Sequence, residues 1–401
     1  MNYKRLLLNC LGMVLFAATV SGPTAAAEDS AQQNPPNILL LVGDDISFGD
    51  LGISGGVTQT PVLDRLANEG VMFTRFHASP VCSVSRGMLL TGNDPIDIGL
   101  AAFDYALYPP AAGKPGYESY LTRATTATIA ELLRDAGYRT YMTGKWHLGG
   151  AHGGEGPQDW GFDRSYSIYT GGANHWNSGV FHVDTHNPEV MAQVKAGKIP
   201  QEPYFEDGKR VERPQGIYSD DLWTGKLLQY LEQERESGKP FFAYVAYTTA
   251  HAPLQAPDFL IDKYVDHYLE LGYAGLKQAR FDAQKRLGLI PPDAVFPDTT
   301  KNQLLRSWEE LSDQEKYVEA RSMATYSAMM ESQDYHIGMV LNYLRETGEL
   351  DNTLIIYLAD NGPEGLGLTG ELSNASATRW VLSNFSQDPA DIGRGNAFAF
   401  I

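Results

Sequence analysis

Asn37-Ile38-Leu39-Leu40-Leu41-Val42-Gly43-Asp44-Asp45 is the stretch that decides the fold. Its apolar residues do not alternate with polar ones, so both faces of a strand made from it would be buried. That is the requirement on a central strand of a parallel sheet, where helices cover both faces. The same construction returns three times. Tyr138 to Met142 leads into Thr143-Gly144-Lys145-Trp146-His147, Phe241 to Tyr247 into Thr248-Thr249-Ala250-His251, and Thr353 to Leu358 into Ala359-Asp360-Asn361-Gly362. Helical patterns lie between these runs: Pro61 to Asn68, Thr128 to Ala136, Ser219 to Glu236 and Asp313 to Arg345, closed by Gly70, Gly137, Gly238 and Gly348. The alternation predicts an α/β fold with a large mixed, mainly parallel sheet between helices. Gly149 to Asn187 and Pro291 to Thr300 read as loops.

The chain has 401 residues, room for two or three domains or for one large α/β domain with an appendage. With 43% hydrophobic and 20% charged residues it has the composition of a globular protein. Its net charge of −18 argues against a protein whose main business is binding nucleic acid, which needs clustered Lys and Arg. A small anionic substrate stays open, since a few basic residues in a cleft reverse the local field. Residues 1–27 read as a secretory signal: Lys4 and Arg5, an apolar stretch from Leu6 to Val20, then Thr24-Ala25-Ala26-Ala27. That stretch is short for a membrane span, and no later segment reads as one. The expectation is a periplasmic or secreted protein with its catalytic domain at residues 28–401. Loss of Cys10 with the signal leaves Cys82 alone, so no internal disulfide is expected.

In such folds ligands bind outside the carboxyl ends of the strands. Four strand ends deliver Asp44 and Asp45, Lys145 and His147, His251, and Asp360 with Asn361. The acidic pairs offer only oxygen donors, which suits Ca²⁺, or less well Mg²⁺, and not zinc. A single Asp after a strand is ordinarily a turn or helix-capping residue, and a single Lys or His an ordinary loop residue; it is the recurrence at four ends that argues for a site. A short helix beginning near Ser83 or Ser85 would place Cys82 at its positive end, with Arg86 one turn on.

These residues resemble an ordered family signature. Asn37 to Gly49, Thr60 to Ala67, Cys82 to Gly92, Gly144 to Gly149, His251 to Pro257 and Asp360 to Gly362 look like the blocks of the sulfatases, most of all bacterial arylsulfatases of the alkaline-phosphatase-like superfamily. The resemblance implies that fold and the hydrolysis of a small sulfate ester. It implies that Cys82 is oxidised by a formylglycine-generating enzyme to formylglycine, whose hydrate is the nucleophile. Asp44, Asp45, Asp360, Asn361 and residue 82 would hold Ca²⁺, and Arg86 would steady the modified side chain. Lys145 would contact sulfate, His147 would take a proton, and His251 would face the leaving group. The sequence departs from the family's Cys-x-Pro-x-Arg signal at Val84. The family also continues past a strand like Asn396 to Ile401 to another lysine and a small C-terminal domain, so truncation of the domain is expected, with Lys114 or His175 as stand-ins for the missing charge. Two other readings remain: a phosphodiesterase or phosphonate monoester hydrolase of the same superfamily, and a non-catalytic relative.

Overall fold

The computed structural model describes residues 35–102, 111, 113–123, 126–150, 154–176, 188–196, 203–297, 306–363, 386 and 388–395. The run after Pro36 becomes β1 (Asn37–Gly43), with Leu39, Leu41 and Val42 fully buried. The sheet holds β1, β2 (Arg139–Lys145), β3 (Arg164–Ile168), β4 (Tyr204–Glu206), β5 (Lys209–Val211), β6 (Phe241–Ala246) and β7 (Thr353–Ala359), in the order β5-β4-β3-β2-β6-β1-β7. β1 pairs in parallel with β6 and β7, and β2 with β6 and β3. β4 and β5 add an antiparallel margin. The expected α/β fold, with its mainly parallel sheet, is the one observed.

The register makes a site possible. Gly43 lies opposite Ala359, Val42 opposite Ala246, and Ala246 opposite Gly144. Four polar strand ends therefore leave the sheet along one edge, side by side.

The helices are α1 (Pro61–Glu69), α2 (Cys82–Thr91), α3 (Ile129–Asp135), α4 (Pro188–Lys195), α5 (Ser219–Gln233), α6 (Asp258–Ile261), α7 (Val265–Arg286) and α8 (Asp313–Glu346). Local chemistry fixes several starts. Thr128 and Glu131 form a capping box on α3, and Ser312 and Glu315 another on α8. α5 opens on Ser219-Asp220-Asp221, acids that suit the positive end of a helix. One core packs Leu39, Leu41, Tyr141 and Val245 against Trp223, Tyr230, Ile337 and Leu341 of α5 and α8. The opposite face packs Leu40, Val42, Met142 and Tyr244 against Trp146, Trp160 and Phe162.

Three readings of the sequence need correction. The supposed loop from Gly149 to Asn187 contains a 3₁₀ turn at Pro157–Trp160 and strand β3. β3 reads Arg-Ser-Tyr-Ser-Ile, and its buried serines hide it from a search for apolar runs. The 22 residues of α7 were not anticipated: only Tyr268 and Gly272 are buried in it, and Gly272 (φ 56°) kinks it where Trp308 packs. β7, whose sequence reads as a central strand, is an edge strand among the described residues, with Leu354 and Ile356 exposed. Residues 1–27 and 396–401 lie outside the described residues, as do 298–300; 291–297 carry neither helix nor strand. No described helix is long and apolar enough to cross a membrane.

Candidate active site

The Asp44–Asp45 turn follows β1 and is locked to the loop after β6. The Asp44 N–H donates to the Thr249 carbonyl at 3.0 Å, and the Ala250 N–H to the Asp44 carbonyl at 2.7 Å. Asp45 then takes a left-handed backbone (φ 58°), a conformation that short polar side chains tolerate better than most. Its N–H lies 3.4 Å from Asp360 Oδ1, and its carboxylate accepts from the Asn361 amide. The two acidic pairs, 315 residues apart in sequence, thus meet.

β2 delivers the cation. At Gly144 (φ 103°) a Cβ would lie 1.8 Å from the Ala246 carbonyl oxygen, so only glycine lets β2 finish beside β6. Lys145 is wholly buried, its Nζ 2.9 and 2.8 Å from the two oxygens of Asp44. Burial, the largest single effect, pulls its pKa down, but Asp44, Cys82 and Asp360 together outweigh it and the net direction is up.

Cys82 is the first residue of α2, one position earlier than the sequence suggests, and Arg86 follows one turn later. Donor atoms of Cys82, Asp44 and Asp45 lie within 4.8 Å of one another. Burial pushes the thiol well above its ordinary pKa; Lys145 opposes this, and Asp360, Asp44 and Asp45 add to it. As a thiol, residue 82 is therefore a poor nucleophile. Arg86 is fully buried and donates from Nε to Asp360 at 2.7 Å and from Nη1 to the Lys145 carbonyl at 2.8 Å, with Nη2 3.5 Å from Asp44. Burial works against its charge, but Asp360 and Asp44 help hold it.

Two histidines complete the group. His147 is buried, and burial, with Lys145 and Arg86 adding, drives its pKa well below the usual value, which keeps it neutral. The loop after β3 packs on it: a Cβ at Gly171 would come within 3.0 Å of the imidazole Cε1 and Nε2. His251 lies with Nδ1 2.6 Å from the Ala252 carbonyl, so Nδ1 carries the proton, and Nε2 sits 3.8 Å from Asp45 Oδ2. All nine residues singled out from the sequence (Asp44, Asp45, Cys82, Arg86, Lys145, His147, His251, Asp360 and Asn361) come together.

Of the two proposed stand-ins, His175 supplies no charge. Lys114 is exposed. His175 is buried, and burial pushes its pKa down to about 3, so it stays neutral. It serves another end, spanning Ser219 Oγ (2.8 Å) and the His251 carbonyl (3.0 Å). That support, and the contact of Gly171 with His147, had no signal in the sequence because both come from the unrecognised β3 region.

The donors fit a hard cation. The Asn361 amide oxygen is buried and has no hydrogen-bond partner among the described residues, while Asp45 and Asp360 present carboxylate oxygens beside it.

The sulfatase family profile matches residues 36–381. An uncharacterized sulfatase of Schizosaccharomyces pombe is 37% identical over 377 residues, covering 93% of this chain and 65% of that protein. An arylsulfatase of Klebsiella aerogenes is 35% identical over 347 residues, 86% of this chain and 70% of the relative. Among solved structures, Ps i-CgsB in complex with k-i-k-neocarrahexaose superposes with a TM-score of 0.56 at 26% identity, over 82% of this chain and 59% of that one. The chain thus spans about two thirds of the length of these curated relatives. With the profile, the relatives and the sheet in agreement, this chain belongs to the sulfatase family.

Proposed function

We propose that this protein hydrolyses sulfate esters, of an aryl alcohol or a related one, releasing the alcohol and sulfate. The observation that carries the reading is the placement of Cys82. It opens a buried helix within 4.8 Å of the Asp44 and Asp45 donors, beside Lys145 and Arg86. A buried, protonated thiol has little use there as it stands, which suits a precursor. Converted to formylglycine, residue 82 supplies a hydrated aldehyde as oxygen nucleophile, and Ca²⁺, when bound, polarises the ester oxygens. Asp44, Asp45, Asp360 and Asn361 would hold the cation.

The chain's own groups divide the remaining work. Lys145 and Arg86, both buried, place fixed positive charge where an anionic ester would sit. His147, neutral and buried, can accept a proton at its imidazole. His251, oriented by the Ala252 carbonyl, stands where it can attend the leaving oxygen. The protein is expected to act outside the cytoplasm, after export through residues 1–27.

The test is the pair of Cys82 peptide mass and turnover. Protein produced with a formylglycine-generating enzyme should show an aldehyde at residue 82 and cleave 4-nitrophenyl sulfate. Cys82→Ala should keep the fold and lose the activity. An alanine variant as active as wild type would sink the proposal.

A further inference from the structure

We infer that helix α8 sets the geometry of the acidic donors from behind, with Tyr326 as the positioning residue for Asp45; this rests on the reading of those donors as a cation site. Tyr326 is buried in the middle of α8, and it touches the site only through backbone. Its hydroxyl lies 2.8 Å from the Asp45 carbonyl oxygen and 2.8 Å from Asp50 Oδ2, one proton shared between two acceptors. Asp50 is itself held. Its Oδ2 accepts the Ser47 N–H at 2.9 Å, and its Oδ1 accepts Arg280 Nη2 of α7 at 2.6 Å. The turn from Asp45 to Asp50 is therefore pinned from outside by two helices. The pinned residue is the one with the left-handed backbone, which persists only where the surroundings over-determine it.

The same helix fixes the neighbouring donor. Gln333 lies seven residues on, two turns along the same face. Its Nε2 donates to the Thr249 carbonyl at 2.8 Å and lies 3.1 Å from Thr249 Oγ1, while its Oε1 accepts from Tyr357 at 2.9 Å. That Thr249 carbonyl is the acceptor of the Asp44 N–H. One rigid helix thus carries both aspartates through their peptide groups. Their carboxylates are left to Lys145, Arg86, Asn361 and His251 and to the proposed cation. Groups that orient metal ligands without binding metal commonly change affinity about 10- to 100-fold when removed.

Tyr326→Phe removes only the hydroxyl. Tyr268→Phe is the matched control: Tyr268 is also buried and near the charges of Arg280 and Asp50, but its hydroxyl bonds Ser327 Oγ at 2.7 Å and not the Asp45 carbonyl. Calorimetric titration of CaCl₂ into metal-free protein should show Tyr326→Phe binding about tenfold more weakly or worse. Tyr268→Phe should bind like wild type, although both lose a buried hydrogen bond and comparable thermal stability. Equal affinity in wild type and Tyr326→Phe, or equal weakening in both variants, overturns the inference and leaves the metal reading standing. Wild-type protein that takes up no Ca²⁺ overturns the metal reading and the inference together. Should Tyr326→Phe prove unfolded, Arg280→Met removes the outer, partly exposed end of the same chain of contacts, and unchanged Ca²⁺ affinity there overturns the inference as well.

Discussion

Asp220 carries a measurable load that the native fold imposes. It sits fully buried in the first turn of α5, its Oδ1 3.0 Å from Thr249 Oγ1 and its Oδ2 2.9 Å from Ser332 Oγ. Burial raises its pKa from 3.8 to about 6, against the pull of His336 and the two hydroxyl donors. Asp221, Tyr218 and Tyr247 are the other titratable groups facing it. The sign follows from linkage. Between those two pKa values the folded state holds a proton that the unfolded state has lost, so this contribution to stability is present at low pH and disappears as pH rises through about 6. The whole difference corresponds to about 3 kcal/mol, of which about 2 kcal/mol falls between pH 4.5 and 7.5. Asp220→Asn cannot titrate. The difference in unfolding free energy, wild type minus variant, should therefore fall by about 2 kcal/mol across that range, or roughly 2–3 °C in Tm for a unit of this size. His336, whose pKa burial lowers but Asp221 and Asp220 raise more, titrates in the same sense, so its coupling to Asp220 enlarges the difference without reversing it. Asp334, also raised to about 6 by burial, is common to both proteins and cancels. The assay is thermal melting by circular dichroism in matched buffers. Parallel curves, with a constant offset at every pH, would refute the argument.

Two further outcomes are expected. Asp45→Ala should abolish Ca²⁺ uptake and remove the gain in Tm that Ca²⁺ gives wild type, because Asp45 accepts the Asn361 amide and lies beside Asp360 and Cys82; unchanged metal content would remove Asp45 from the site. Val84→Pro should leave Tm nearly unchanged, since Val84 is the third residue of α2 and its N–H needs no partner within the helix. The same change should raise the formylglycine fraction at residue 82; a wild type already fully converted would show that Val84 is no obstacle.

The sheet was readable where burial forces a continuous apolar run. β1 and β6 announce themselves because helices cover both faces, and the glycines and acids that follow mark where the chain must turn at the sheet edge. β3 was not readable, because its inward positions are Ser165 and Ser167 as well as Tyr166, and a polar residue buried by tertiary context looks like a loop residue in sequence. α7 failed for the converse reason: a helix that is mostly half-buried needs no fully apolar stripe, and this one is broken at Gly272. The nine residues that the fold gathers were legible because seven are polar side chains that follow apolar strands, while Cys82 and Arg86 sit in a helix-opening pattern. Tyr326, Gln333, His175 and Gly171 were not, because they act through backbone groups or bare space, and any residue type in a helix or loop is compatible with that until the fold brings it near.

The electrostatics of the site decide what it can accept. Three carboxylates, on Asp44, Asp45 and Asp360, face two cations, Lys145 and Arg86, so the group carries a formal charge of −1. Neither cation is free to leave: Lys145 spans both oxygens of Asp44, and Arg86 is divided among Asp360, Asp44 and the Lys145 carbonyl. A sulfate monoester is also an anion, and at this depth repulsion is poorly screened. Under the proposed function, a divalent cation on the acidic donors would turn the sum to +1, and a bound monoester would then make it neutral. The salt bridges thus do two things at once. They keep Lys145 and Arg86 charged in a buried place, and they offset the mutual repulsion of Asp44 and Asp360, which Arg86 bridges.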